Sequence, residues 1–349
     1  MNRKNIITTA LFVALMVFTF WIVFKGNNLS DIRSALMQMN GWYVVGAAIC
    51  GLFFVSADGI MIWYLLRALG VKKNIMNCIR YSFIGFFFSG ITPSATGGQP
   101  VQLYCMSKEK IKAADSTVVL MTVAVIYKFV LVLIGLGILL FWHQGLVQYL
   151  GQYRYLYYFG LFLNVIVTMI LVFVMVSPTC FKQIVGFGEK ILVKLHILKP
   201  SKERGASIEK MASDYHMAVE FFMGNKKHIV VTCLITFIQR ISVFFITYII
   251  YRGWNLGEYD FLIITLLQGS VYVAVDMLPL PGSQGISEMM YQTVFASIFT
   301  GSYMAASVCV TRGISFYFVL IISALFVCWW YMRNLMLKKQ EMGIKKTVA

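Results

Sequence analysis

The chain has 349 residues, of which 59% are hydrophobic and only 13% charged, and it carries a formal net charge of +16. Ordinary soluble domains carry about twice that charged fraction, and apolar runs of about twenty residues recur along the length. This composition excludes a soluble globular enzyme and indicates an all-α, polytopic membrane protein. The basic excess is not a nucleic-acid signature. Most Lys and Arg lie in short loops beside apolar spans, where the positive-inside rule places them, so no nucleic-acid partner is expected. A basic cytoplasmic face instead attracts anionic lipid head groups.

In chain order, Arg3 and Lys4 precede an apolar run from Ile6 to Phe24. The run is too long for a signal-peptide core and no small-x-small cleavage site follows, so it reads as a retained first span. Residues 29–39, LSDIRSALMQM, have apolar positions at helical spacing and are expected along the outer interface. A second span covers about 42–66, and the apolar stretch at about 81–91 is too short to cross. It is broken at Pro93, Gly97, Gly98 and Pro100. Full spans follow at about 116–142 and 156–176. The basic segment 178–227 is expected to form amphipathic helices on the cytoplasmic surface, being too short for an independent enzyme domain. A span at about 228–251 comes next, then apolar segments at about 261–278 and 289–300. The stretch MLPLPGSQGISEMM, 277–290, lies across their junction with Pro279, Pro281, Gly282 and Gly285, and a last span runs over about 304–332.

Orientation follows from the charges. With both broken segments as re-entrant hairpins, six full spans leave both termini in the cytoplasm. Only Lys25, Arg33, Arg154 and Arg252 then face outward, while most of the 30 Lys and Arg face inward. A full crossing by either hairpin alone would turn 178–227 or the tail outward. Trp42, Trp142 and Trp254 fall at outer ends and Trp329 and Trp330 near the inner one, as interfacial belts would.

The two broken segments resemble each other. Gly97-Gly98-Gln99 matches Gly282-Ser283-Gln284, each with a proline shortly before it. Lys128 follows Gln99 by 29 residues and Arg312 follows Gln284 by 28. One hairpin enters from each side, which makes the two units antiparallel, the plan of many secondary transporters. The expected organisation is one membrane domain over 1–349, with repeat units at about 42–142 and 228–332. Irregular backbone at membrane depth is tolerated only beside protein or a water-filled cavity, so the Pro/Gly loops read as gates whose helix termini face such a cavity.

Ionisable residues within spans cost several kcal/mol and are functional candidates by default. Here they are Asp58, Arg80, Lys128, Arg240, Asp276, Glu288 and Arg312. The functional reading is a polar cavity for a phosphate-bearing head group, lined by Lys128, Arg240, Arg312, Gln239, Glu288, Asp276, Gln99 and Gln284. The plain alternative is structural ion pairs, such as Arg312 or Arg240 with Glu288 or Asp276. Seven scattered cysteines lack any metal-ligand spacing, so neither metal, cofactor nor structural disulfide is expected.

TPSATGGQPVQLYCM and LPLPGSQGISE, separated by this set of spans, resemble the lysylphosphatidylglycerol synthase transmembrane (flippase-like) family over about 6–335. The resemblance implies a lipid-translocating domain in a bacterial cytoplasmic membrane. It also aligns Lys128 and Arg312 with the family's cationic positions and Glu288 with its loop glutamate. Ser287 and Gln102 stand where the family often has Arg, which leaves the head-group preference open. In bifunctional relatives a soluble domain transfers an aminoacyl group to phosphatidylglycerol; no counterpart is expected between the last span and Ala349.

Two classes of function follow. The first is a flippase or scramblase acting on anionic or aminoacylated phospholipids, without ATP as the direct energy source because no Walker A pattern is present. The second is an intramembrane lipid-modifying enzyme, which needs converging nucleophiles, bases or a metal cluster. The four histidines, 143, 196, 216 and 228, fall at span ends or in loops, which argues against it. A membrane scaffold is a third reading, for which dense intramembrane charge is unnecessary. The sequence is compatible with a homo-oligomer.

Overall fold

A computed structural model describes residues 29–92, 95–177, 179–180, 182–183, 186–187, 203–278 and 285–348. The expected first span at 6–24 lies outside the described residues. Within them the chain is helical, without strands. The elements are α1 (Leu29–Met37), α2 (Gly41–Ala68), α3 (Ile75–Ile91), α4 (Gly98–Lys108), α5 (Ala113–Phe141), α6 (His143–Leu150) and α7 (Arg154–Val176). They continue with α8 (Glu203–Gly224), α9 (Lys226–Gly253), α10 (Phe261–Val275), α11 (Ile286–Val294), α12 (Ser302–Arg312), a π-helical segment (Gly313–Phe318) and α13 (Val319–Val348).

Five of the described helical stretches are long and apolar enough to cross a membrane: Gly41–Ala68, Ala113–Phe141, His143–Val176, Lys226–Gly253 and Ser302–Arg333. They coincide with five of the expected spans, and the protein is a multi-pass, all-α membrane protein. Ile75–Ile91 and Phe261–Val275 are apolar but shorter. Leu133, Phe162, Ile170, Leu234, Ile238 and Ile321 are each more than half exposed or close to it. In water such a surface would aggregate; in hydrocarbon it needs no cover.

The centre of the bundle is an antiparallel pair, α2 with α9. The Asn40 amide donates to the Gly253 carbonyl at one end, 3.0 Å away. Toward the other end Thr236 Oγ1 lies 3.1 Å from Met61 Sδ, and His228 Nδ1 lies 2.9 Å from the Tyr64 hydroxyl. Side chains from α2, α5, α9, α10, α11 and α12 fill one core, including Ile246, Leu267, Met290 and Ala306. A second core joins α2, α3, α4 and the start of α5 to α8. The α8 residues Ala212, Tyr215, Val219 and Phe222, which share one helical face, are buried in it.

Each short apolar helix is followed by a loop and another short helix that packs back against it: α3 with α4, and α10 with α11. Glycine makes the first hairpin tight. A Cβ on Gly98 would strike Ser89 Oγ and come within 2.7 Å of the Gly85 carbonyl. Within the apolar segment 289–300, α11 ends at Val294 and turns follow. One sequence expectation needs correction: Trp254 is not a belt residue. It is 7% exposed, and its indole nitrogen donates to the Ala35 carbonyl, tying α1 to the end of α9.

Candidate functional site

Six helices bring charged side chains toward the α2/α9 contact: α2 supplies Asp58, α5 Lys128, and α9 Arg240. Asp276 caps the end of α10, Glu288 lies in the first turn of α11, and Arg312 ends α12. Each is forced inward by the same physics, since a charge on the lipid face of a span costs more than one facing other protein groups.

Two of the three cations are neutralised. Lys128 Nζ forms an ion pair with Asp276, linking α5 to the tip of the second hairpin across 148 residues of sequence. Arg312 Nε donates to Glu288 Oε1 at 2.5 Å, and its Nη2 donates to Ser287 Oγ. Glu288 also accepts from the Gly285 amide at 2.7 Å and from the Ser287 hydroxyl at 2.8 Å. The Gly285 contact closes the first turn of α11 in capping-box fashion. Gly285 has φ +89°, a conformation costly for any residue with a Cβ, so the glycine lets the chain enter α11 at this angle.

Arg240 is different. It is 0% exposed, and its Nε, Nη1 and Nη2 take part in no hydrogen bond among the described residues. Its guanidinium carbon lies 3.3 Å from the Tyr127 ring centroid, so one planar face is stacked on the aromatic. Beside it, Gln239 Nε2 donates to the Phe54 carbonyl at 2.6 Å and to Asp58 Oδ1 at 2.9 Å. Asp58 and Tyr127 both lie within electrostatic range of Arg240. Tyr272 lies within range of Arg240, Asp276 and Arg312. The charged groups therefore form one connected cluster rather than isolated pairs.

The helix widens where Arg312 enters this cluster, because the π-helical segment starts at the next residue. Such π-turns inside α-helices occur frequently at functional sites. The guanidinium of Arg312 also lies 5.9 Å from the Phe316 ring of that segment.

A second buried pair holds the open end of the first hairpin. Arg80 pairs with Glu109, and the Tyr81 hydroxyl donates to Glu109 Oε2 at 2.5 Å. Lys73 Nζ donates to the Glu109 carbonyl at 2.8 Å, and Arg80 lies 5.1 Å from the Trp329 ring.

Of the residues singled out in the sequence, Lys128, Arg240, Arg312, Gln239, Glu288 and Asp276 converge. Gln99 and Pro100 are exposed at the start of α4 and belong to the first hairpin. The Gly97 amide donates to Thr92 Oγ1 at 2.9 Å, and Gly98 is buried. Pro93, Pro279, Pro281, Gly282 and Gln284 lie outside the described residues. The stacking by Tyr127 and the bridging position of Tyr272 escaped sequence reasoning. For Tyr272 the available signal was its spacing, four residues before Asp276; the meeting of Tyr127 with Arg240 is a tertiary contact that spacing does not mark.

Comparison with known proteins bears on the whole chain. The lysylphosphatidylglycerol synthase TM region family matches residues 5–323. An uncharacterized protein of Mycoplasma genitalium is 25% identical over 125 residues, 34% of this chain and 32% of that relative. The aligned part thus spans about a third of the relative's length.

Proposed function

The chain belongs to the lysylphosphatidylglycerol synthase transmembrane family, and we propose that it moves phospholipid head groups across the bacterial cytoplasmic membrane. The observation that carries this reading is Arg240: a fully buried guanidinium with no hydrogen-bond acceptor among the described residues. An unpaired charge in a low-dielectric interior costs several kcal/mol, a cost that a transient phosphate offsets. Guanidinium binds phosphate in bidentate geometry.

The remaining charges fit the same task. In the resting protein Asp276 and Glu288 neutralise Lys128 and Arg312. A passing phosphate exchanges with these carboxylates, so the path is never left with bare cations. The two pairs also anchor the second hairpin, to α5 and to α12, and their exchange frees it to move. The acyl chains stay in lipid throughout.

In this reading the two units form an inverted repeat within a single membrane domain. Its support is a constant offset of 185 residues: Gly41–Ala68 maps onto Lys226–Gly253, and Gly97 onto Gly282. The short helices of the two hairpins and the long spans after them follow in the same order. The preferred orientation has both termini in the cytoplasm, with the basic segment 178–227 facing anionic lipids.

The test is translocation of head-group-labelled phospholipids in liposomes holding the purified protein, with and without a pH gradient. Protein-dependent movement that Arg240→Ala abolishes supports the reading. Folded protein that moves no lipid under either condition overturns it.

A further inference from the structure

The charge cluster contains three cations, Lys128, Arg240 and Arg312, and three acids, Asp58, Asp276 and Glu288. Four of these close on one another as Lys128–Asp276 and Arg312–Glu288. Arg240 and Asp58 are left over, and no ion pair joins them, although each lies in the other's field. Around them the unmet hydrogen-bonding capacity is of both signs. Arg240 holds its donors at Nε, Nη1 and Nη2 without an acceptor, and Gln239 Oε1 is a buried acceptor without a donor. Asp58 uses Oδ1 to receive the Gln239 amide and keeps Oδ2 as a further acceptor.

The orientation of Gln239 is set by its surroundings. Its Nε2 faces the Phe54 carbonyl and the Asp58 carboxylate, both of which can only accept. A flipped amide would place Oε1 against those two oxygens, so Oε1 is turned away from them and stays open. The site therefore presents a planar fork of donors on Arg240 and, on Gln239 and on Asp58 within its field, two oxygen acceptors, one of them anionic. A purely anionic ligand satisfies the donors but meets Asp58 as a like charge. A ligand with a phosphate and a nearby cation satisfies both halves.

We infer that Arg240 and Asp58, bridged by Gln239, read a zwitterionic head group carrying a phosphate and a primary ammonium, as in an ethanolamine phospholipid. Arg240 takes the phosphate edge-on, because Tyr127 covers one face of its guanidinium. The ammonium donates to Asp58 Oδ2 and Gln239 Oε1. A primary ammonium has three N–H donors for these acceptors, whereas a quaternary ammonium has none. The inference rests on the transport reading only in taking the ligand to be a lipid.

The experiment is equilibrium lipid binding to the purified full-length protein, read by native mass spectrometry. Phosphatidylethanolamine, phosphatidylcholine and phosphatidylglycerol of matched chains are the probes. Phosphatidylethanolamine is expected to be preferred at least about tenfold over the other two, because each of those leaves buried polar groups unmet. Asp58→Asn removes that preference while phosphatidylglycerol binding is kept or strengthened, and Arg240→Gln weakens all three. Gln239→Met, which keeps the side-chain length but removes Oε1 together with the Nε2 that holds Asp58, reduces the preference and serves if Asp58→Asn does not fold. Equal binding of the three lipids by the unmodified protein, or an intact preference in folded Asp58→Asn, overturns the inference. Soluble phosphoethanolamine binding as tightly as the lipid overturns its lipid assignment. Binding preference without translocation removes the transport reading alone, and translocation without preference removes this inference alone.

Discussion

The side-chain amide of Gln239 meets the backbone carbonyl of Phe54 at 2.6 Å, at the middle of two 28-residue helices that run antiparallel. The two positions are 185 residues apart, the same offset that relates the ends of the two helices. The inverted repeat proposed above would bring residues on its axis against their own counterparts, and the Gln239–Phe54 contact is one that it accounts for. The relationship also fixes which helix ends share a side of the membrane.

The first prediction follows from it. The start of α2 lies beside the end of α9, so cysteines introduced at Gly41 and Glu258 are expected to react with an impermeant maleimide from one face. Cysteines at Lys72 and Lys227, exposed near the opposite ends, react only from the other face. A cysteine-free background is needed, because the seven native cysteines include exposed Cys328. Labelling of 41 and 258 from outside intact cells agrees with cytoplasmic termini; labelling from inside inverts the topology.

A second prediction concerns the pair Lys128–Asp276. Their side chains are 15% and 13% exposed, so removing one partner leaves an uncompensated charge in a poorly solvated place. Lys128→Ala is expected to lower unfolding free energy by about 3 kcal/mol. Lys128→Ala with Asp276→Ala together is expected to cost clearly less than the two single changes summed, since each removes the other's penalty. Thermal unfolding of the four proteins in one detergent completes the cycle. Additive losses would mean that the two residues do not interact.

Physical cost decided how much of this arrangement was legible in the sequence. Long apolar runs gave the spans, and Lys128, Arg240 and Arg312 stood out because a cation inside such a run is expensive. Partnership was legible only in part: Arg312 with Glu288 was among the pairings the sequence offered, and it forms. Lys128 finds Asp276 at a distance of 148 residues, which only tertiary packing creates. Glu109 sits among lysines in SKEKIK and was not among the residues singled out, yet it clasps Arg80, Tyr81 and Lys73. Trp254 looked like a belt residue from its place at a span end, and α1 folds over it instead. The π-helical turn over GISFYF leaves no mark in composition at all.

The Arg80–Glu109 pair yields a third prediction. Arg80 is 3% exposed, and its Nε already lacks a hydrogen-bond partner. Glu109→Ala removes its counter-ion and the acceptor of the Tyr81 hydroxyl together, and is expected to cost about 3–5 kcal/mol of stability. Glu109→Gln keeps an acceptor and is expected to lose less. Limited proteolysis should then cut near 95–97, just before α4, faster in Glu109→Ala than in the unmodified protein. An unchanged cleavage rate with full stability would show that the pair does not hold the hairpin closed.

The last prediction has the opposite sign in stability, and that is its value. Among the described residues most of the buried charges are paired, and removing one partner costs energy. Arg240 makes no ion pair among the described residues and has the Tyr127 face, Tyr272 and the more distant Asp58 to offset its desolvation. Arg240→Met fills similar volume without a charge, so the folded state is expected to keep its stability or gain about 1–4 kcal/mol. Lipid movement is expected to fall to the protein-free rate in the same variant. A residue kept for packing would give the reverse result, with lost stability and residual transport. A stabilised, inactive Arg240→Met identifies the guanidinium as one maintained against the interest of folding, as functional sites commonly are. A destabilised variant that still moves lipid would remove Arg240 from the site.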